Sequence, residues 1–400
     1  MRQTDIAIAG GGLAGSLAAA MLGRAGYSVV LIDPHPVYPP DFRCEKLDGG
    51  QVKVLRKTGI ADAVLRAATF DGETWVARFG RLLERRPGDQ HGIMYDTLVN
   101  TIRAQIPASV EFILDKVMDV ATTDERQTVT LGKGEPISAR LVVVANGLNI
   151  GLRHKLGMER QDLSKCHSMM LGFDLVPAGR AAFSFPGMTY YGEHPRDRTA
   201  YITLFPIGDT MRANLSCYRG MDDPWLRQFR QAPRDTLKAL MPGLEKIVGD
   251  FDVAGTIKIR PVDLYVTTGC RKAGVVLVGD AYATSCPGGG TGAGKALVDA
   301  ERLCNTHIPR WLGTPGMSAD KIAAFYDDPV KQASDTHSVT KAFWLKSMSI
   351  DPGIAWAARR WVRFIARFVL GKLRENRAPA ASGASQPSQA IGGTGLGRAA

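Results

Sequence analysis

Two glycine-rich segments carry the chemistry legible in this chain, and they lie far apart. The first is Gly10-Gly11-Gly12-Leu13-Ala14-Gly15. Gly10 permits a tight turn, Gly12 lets the backbone approach a diphosphate, and Gly15 lets a helix pack close to the strand before it. The N-terminus of that helix offers unpaired N–H groups and a positive dipole end to an anion. Asp33 follows about twenty residues later, where an acid accepts hydrogen bonds from ribose hydroxyls. The second segment is Gly279-Asp280-Ala281, followed by Pro287-Gly288-Gly289-Gly290-Thr291-Gly292. Asp280, ending a buried strand, suits the hydroxyls of a ribityl chain. The Pro287–Gly292 loop has almost no side chains, so its amides can approach a flat ring. With the helix from Thr291, those amides favour negative charge along one edge of that ring. Together the two segments describe one flavin dinucleotide, FAD, held at both ends.

The elements that must position these residues are legible too. Asp5 to Gly10 and Ser28 to Asp33 read as buried strands around a helix from Leu13 to Arg24, a βαβ unit. Prolines at 34, 36, 39 and 40 then force an irregular loop. Short helices are expected at 49–56 and 60–67, a strand at 74–79 and a helix at 95–105. Stretches 110–114, 117–122 and 128–131 alternate like antiparallel strands. Leu141 to Ala145 and Gly274 to Val278 are apolar runs typical of buried parallel strands. Lys165 to Tyr218 reads as an inserted antiparallel sheet, Asp222 to Val248 as two helices, and Val253 to Ile259 as another strand. Helices are expected at 291–305 and 319–333. The late glycines at 392–397 follow no strand and belong to tail composition.

These residues resemble the class A flavoprotein monooxygenases, the group of para-hydroxybenzoate hydroxylase and the ubiquinone-pathway hydroxylases. The resemblance rests on Gly10, Gly12 and Gly15 with Asp33, on Arg43, and on Gly279-Asp280-Ala281. It continues through Pro287, Gly289, Gly290, Gly292, Asp299, Ala300 and Leu303. It covers roughly 4–160 and 270–310. It implies that Arg43 touches the FAD diphosphate, that NAD(P)H is co-substrate, and that one atom of O2 enters an aromatic or polyprenyl-type molecule. The chain departs from the family pattern at Asn146-Gly147, where Asp-Gly is usual, and at Ile150, where serine is usual, with the later arginine kept as Arg153. That segment is tied to flavin and pyridine nucleotide binding in the family. Gly294 stands where an asparagine is common, and Tyr95 near where an arginine often occurs.

The middle segment is expected to cover the substrate. Its aromatics are Phe173, Phe183, Phe185, Tyr190, Tyr191, Tyr201, Phe205 and Tyr218. They would stack on an apolar or aromatic substrate and keep water from a flavin, or else fill a sheet core. Adjacent Tyr190 and Tyr191 must face opposite sides of a strand. His167 and His194 are isolated, Cys286 beside Pro287 reads as a small buried residue, and no side chain is nominated as catalytic. The flavin would supply the chemistry.

The chain has 400 residues, enough for one large domain or two, and six cysteines without a CxxC pair, which suits a reducing compartment and supports no metal site. No run of about twenty uncharged apolar residues suggests a membrane span. The apolar N-terminal stretch is read as the βαβ unit and not as a signal peptide. Between Lys341 and Arg377 stand nine basic and two acidic residues, most of the net charge of +11. That points to a local surface patch, not a nucleic-acid fold. At helical spacing, Ile354, Ala358, Trp361, Ile365, Phe368 and Val369 share one side, and Arg359, Arg363, Arg367 and Arg374 another. Such a helix at 354–373 can lie on an anionic membrane or pack on its own domain.

The expectation is therefore an α/β fold. A Rossmann-like FAD-binding domain would use 1–160 and 270–335, an inserted β-rich substrate domain 161–269, C-terminal basic helices 336–377, and a disordered tail 378–400. The protein would be cytoplasmic, with peripheral contact at the inner membrane surface. A flavin-dependent reductase of the geranylgeranyl-reductase type, and a non-catalytic dinucleotide-fold binding protein, remain alternatives at this point.

Overall fold

Arg2–Ala9 runs through the middle of a seven-stranded sheet and is buried from Ile6 onward. The computed structural model describes residues 1–377; the expected tail at 378–400 lies outside the described residues. The sheet runs Glu111–Ile113, Val29–Ile32, Arg2–Ala9, Ile137–Val144, Gln127–Leu131, Val117–Ala121. The first half of Ile137–Val144 pairs antiparallel with Gln127–Val129, and its second half pairs parallel with Val275–Leu277. Register sets Ala9 beside Val144, and Val144 beside Leu277. Both glycine turns therefore leave the same carboxyl edge of the sheet, two inter-strand spacings or roughly 10 Å apart. That edge is where open parallel sheets hold ligands.

One strand differs from expectation. Glu111–Ile113 pairs parallel with Val29–Ile32, not antiparallel. Alternation reports which face a side chain takes, not which neighbour a strand finds. The helix Leu13–Arg24 is buried from Leu13 through Gly23, because it lies between this sheet and the helix Gly292–Arg302.

A second seven-stranded sheet runs Phe251–Thr268, Glu159–Pro177, Thr210–Cys217, Thr199–Ile207, Gly187–Tyr191, Glu73–Arg78, Arg81–Pro87. Its last two strands come from within the 1–160 span that the sequence assigned to nucleotide binding. They join through a parallel pairing with Gly187–Tyr191, a long-range contact without a local signature. One face packs on three short helices, Pro224–Gln231, Pro233–Leu240 and Leu244–Val248, where two were expected; Pro233 and Gly243 interrupt the run. The other face looks toward the first sheet.

The expected helix at 319–333 is two helices, Ala319–Tyr326 and Pro329–Ile350. Pro329 cannot continue a helix, and the Asp328 carboxylate caps the new one by accepting from Val330 N at 2.9 Å and Lys331 N at 3.1 Å. Ile354–Arg377 then packs along Arg81–Pro87.

Candidate cofactor and substrate site

The two glycine segments meet. A β-carbon on Gly279 would stand 3.5 Å from that of Ala14. Arg43 Nη1 donates to Asp280 Oδ2 at 2.7 Å, and Gln51 Nε2 donates to the Gly290 carbonyl at 2.8 Å. All the residues singled out for the flavin, except Gly15 and Thr291, line one cavity of about 1150 Å3. Gly15 has a different task. A β-carbon there would lie 1.9 Å from the Gly10 carbonyl oxygen, so the helix can cross the turn only without one. Gly10 itself has φ +106°, a conformation that only glycine adopts without strain. Thr291 bonds Ser338 Oγ at 2.8 Å.

Both helix N-termini at this edge lack a side-chain cap: Gly12 precedes Leu13–Arg24, and Thr291 precedes Gly292–Arg302. Neither first turn carries an acid. Leu13 N donates to the Tyr95 hydroxyl at 3.4 Å, and the other first-turn N–H groups and the dipoles are left for an anion. Asp33 is buried, and its carboxylate accepts from Gly11 N at 2.7 Å and His35 N at 2.9 Å, which shapes the turn while the residue lines the cavity. Asn146, at the departure from the family pattern, lines the cavity with its buried Oδ1 unpartnered. A cradle with open glycines, free amides and an orphaned acceptor fits a dinucleotide's phosphates and hydroxyls.

Gln51 and Arg103 contribute with no sequence signal, whereas Tyr95 and Arg153 stood out only as positions in the family pattern. Tyr95 is buried, its hydroxyl 3.4 Å from Leu13 N and its ring in edge contact with Tyr38 at 5.5 Å. Burial pushes that phenol well up, so it stays neutral. Arg103 donates to the Gly11 carbonyl at 2.6 Å and so braces the turn from behind. Gln51 lies beside Gly294, with its Cγ 3.4 Å from where a β-carbon there would be, and so occupies the space an asparagine would need. Arg153 is not a cavity residue. It is buried, donating to the Ala281 carbonyl at 2.8 Å and Thr267 Oγ1 at 3.0 Å, and so holds the Gly279–Ala281 turn.

The second sheet supplies the opposite wall. Of the eight aromatics considered, Tyr191 and Tyr201 line the cavity. Phe173, Phe185 and Tyr190 are core, with Phe183 packed against them. Tyr190 turns away to donate to Glu193 Oε1 at 2.5 Å, as alternation requires. The Tyr201 hydroxyl donates to the Gly288 carbonyl, tying sheet to loop. His167 is buried between Ser164 Oγ and the Ala342 carbonyl, and Cys286 is buried with its thiol pushed up by burial. Neither they nor His194 line the cavity.

A buried charge network holds the second glycine segment in place. Asp299 Oδ2 accepts from Gly279 N at 2.8 Å, and its carboxylate lies 2.9 Å from Lys331 Nζ and 3.2 Å from Lys295 Nζ. Asp335 completes the cluster at 3.2 Å from Lys295 and 3.0 Å from Lys331.

These features define a dinucleotide-binding α/β protein with a covered ligand cavity. A model of the FAD binding domain family matches residues 3–308. The chain belongs to that family; it is an FAD-dependent oxidoreductase of the class A monooxygenase kind. It is 24% identical over 373 residues to 6-hydroxynicotinate 3-monooxygenase of Bordetella bronchiseptica, covering 86% of this chain and 92% of that one. It is 27% identical over 187 residues to the Escherichia coli 3-demethoxyubiquinol 3-hydroxylase, covering 42% of this chain and 48% of that one. Its fold is similar to that of p-nitrophenol 4-monooxygenase from Pseudomonas putida, with a TM-score of 0.73 and 18% identity over 94% of this chain and 97% of that one. It is also similar to aklavinone-11 hydroxylase in a complex with FAD and aklavinone, with a TM-score of 0.69 and 20% identity over 89% of this chain and 70% of that one.

Proposed function

We propose that this protein inserts one oxygen atom from O2 into an aromatic small molecule, using NAD(P)H, with FAD held between the two glycine segments. The observation that carries this reading is the single cavity, which runs from the Gly10–Ala14 turn past Asp280 to the face of the second sheet bearing Tyr191 and Tyr201. Bound FAD would accept a hydride and activate oxygen. The chain's own residues do the rest. The amides of Gly12 to Ala14 and the first helix dipole hold the diphosphate. Asp33 accepts the ribose hydroxyls, and Asp280, oriented by Arg43, accepts those of the ribityl chain. Gly289 N and Gly290 N close the turn on the Cys286 and Pro287 carbonyls, so the remaining amides of the Pro287–Gly292 loop would face the ring edge, where the second helix dipole favours negative charge. The sheet face and the helix Pro329–Ile350 exclude water from the reacting centre.

The test is spectroscopic and isotopic. Purified protein should be yellow, should bleach on anaerobic NAD(P)H addition faster with a phenolic substrate present, and should place 18O from labelled O2 in the product. Substrate conversion without 18O would replace this reading by a flavin-dependent reductase. Flavin never bleached by NAD(P)H plus any of a panel of phenols would leave a binding protein.

We also propose a peripheral membrane contact at 354–373. Among the described residues no helix is long and apolar enough to cross a membrane. The outer face of Ile354–Arg377 nevertheless exposes Ile354, Trp361, Val362, Ile365, Val369 and Leu373. Arg363 and Arg367 turn to the cavity, so apolar area would drive such a contact more than charge. Pelleting of the full chain with anionic vesicles, lost on replacing Val362, Ile365 and Val369 with serine, supports the contact. Equal pelleting of both removes it.

A further inference from the structure

The cavity has a second chemical end that flavin binding does not use. Arg78 on the second sheet, and Arg360, Arg363 and Arg367 on the C-terminal helix, all line it, joined by Lys341. Arg360 is buried, the other three arginines are half-buried, and Lys341 is exposed. Among the described residues, none of the four arginines makes an ion pair with a carboxylate. Arg78 Nε donates to the Gly192 carbonyl at 2.9 Å, Arg360 Nη1 to the Asp351 carbonyl at 2.8 Å, and Arg367 Nη1 to the Tyr191 hydroxyl at 2.9 Å. The Arg363 guanidinium lies over the Trp344 ring at 4.9 Å. Glu193 and Asp351 turn their carboxylates elsewhere, to Gly243 N and Gly353 N, each at 2.8 Å. Burial pushes the Arg78 and Arg363 guanidiniums down, and the neighbouring charges of Arg360 and Arg367 add to it, against the opposing effects of Glu193 on Arg78 and of the Tyr191 hydroxyl on Arg363. Glu193 supplies Arg78 with a neighbouring negative charge but no direct ion pair, and converging cations without a bonded carboxylate are costly in a covered cavity unless a ligand supplies the anion.

The distance from this cluster to the flavin loop is short. Arg367 lies 5.3 Å from the Tyr191 ring centre, Tyr191 is in edge contact with Tyr201 at 6.2 Å, and Tyr201 bonds the Gly288 carbonyl. Two aromatic rings therefore separate the guanidiniums from the loop. We infer that the substrate is an aromatic acid whose ring lies along Tyr191 and Tyr201 and whose carboxylate is received by Arg363 and Arg367, with Arg78 and Arg360 behind them. Guanidinium forks match carboxylates bidentately, and such charge-assisted bonds are strong in a covered site. The inference rests on the proposed flavin placement, because that places the ring end of the substrate.

The test titrates oxidised holoprotein with hydroxybenzoates and hydroxyphenylacetates, each alongside its uncharged carboxamide, reading the flavin absorbance band. At least one acid should bind about 10- to 100-fold tighter than its amide. R363Q/R367Q should reduce that preference to less than about threefold while leaving amide binding in place, and R363K/R367K should keep part of it. R359Q, on the exposed side of the same helix, should change nothing and so controls for folding. Equal binding of acids and amides, no acid bound at millimolar concentration, or an unaltered preference in R363Q/R367Q would overturn the assignment. So would an R363Q/R367Q variant whose only defect is a raised KM for NAD(P)H, since the arginines would then serve the nicotinamide cofactor. The titration needs no turnover, so a failure of oxygen insertion leaves its outcome readable.

Discussion

Asp299→Asn tests whether a buried charge cluster sets the position of Asp280. Asp299 is fully buried, as is Lys331, and Lys295 is nearly so. Two lysines face two carboxylates, so the cluster is neutral. Asparagine keeps the shape but removes one negative charge, and its single acceptor oxygen cannot serve Gly279 N and both ammonium groups. Removing one partner from a buried ion pair costs about 3–5 kcal/mol, because it leaves a charge uncompensated. With an unfolding entropy of ~2.1 cal/mol/K per residue over the 400 residues, that is a fall in Tm of roughly 4–6 °C if the chain unfolds as one unit. Releasing Gly279 N should also weaken flavin retention, read as the flavin-to-protein ratio after gel filtration. The pH dependence has a definite sign. Burial by itself would raise the Asp299 carboxyl, but Lys295 and Lys331 hold it below the ordinary value. Its stabilisation is therefore present above about pH 4 and lost as pH falls through the depressed value. The Tm difference between wild type and D299N should shrink in acid. A D299N protein with the same Tm as wild type at pH 7, and with full flavin, would refute the reasoning.

Three further outcomes are expected. Gly15→Ala places a methyl 1.9 Å from the Gly10 carbonyl and must push the helix off the strand, costing about 1–3 kcal/mol and the diphosphate geometry with it; a variant purified with wild-type flavin content would contradict this. Tyr201→Phe removes the bond to Gly288, so the loop should loosen by about 1 kcal/mol, seen as weaker flavin retention without loss of fold by circular dichroism. Burial pushes the Lys46 amine down to about 8. Because the unfolded chain holds that proton up to about pH 10.4, stability relative to Lys46→Gln should rise between pH 8 and 10; a flat Tm difference across that window would show an unperturbed lysine.

Much of the first sheet was legible because its signals are local. The strand ends at Gly10 and Gly279, and the apolar runs at 141–145 and 274–278, follow from backbone sterics and from burial on both faces. The split of 319–333 at Pro329 was equally local and could have been read from Asp328-Pro329. Gln51 and Arg103 could not, because each reaches the site from a remote part of the chain through one side chain. Nor could spacing say which side of the helix at 354–377 faces the protein. An amphipathic pattern divides a helix into two faces, but packing on Arg81–Pro87 turned Arg360, Arg363 and Arg367 inward and left Arg359 and most of the apolar stripe outside.

The amino-acid sequence alone determined that two glycine turns exist, each at the end of a buried strand and the start of a helix, since those are constraints within a dozen residues. Only the tertiary structure decided that they face one another. That outcome depends on Ile137–Val144 receiving Arg2–Ala9 on one side and Val275–Leu277 on the other, in matching register. Strand pairing is a choice among partners separated by long stretches of chain, made by the whole core and not by any motif.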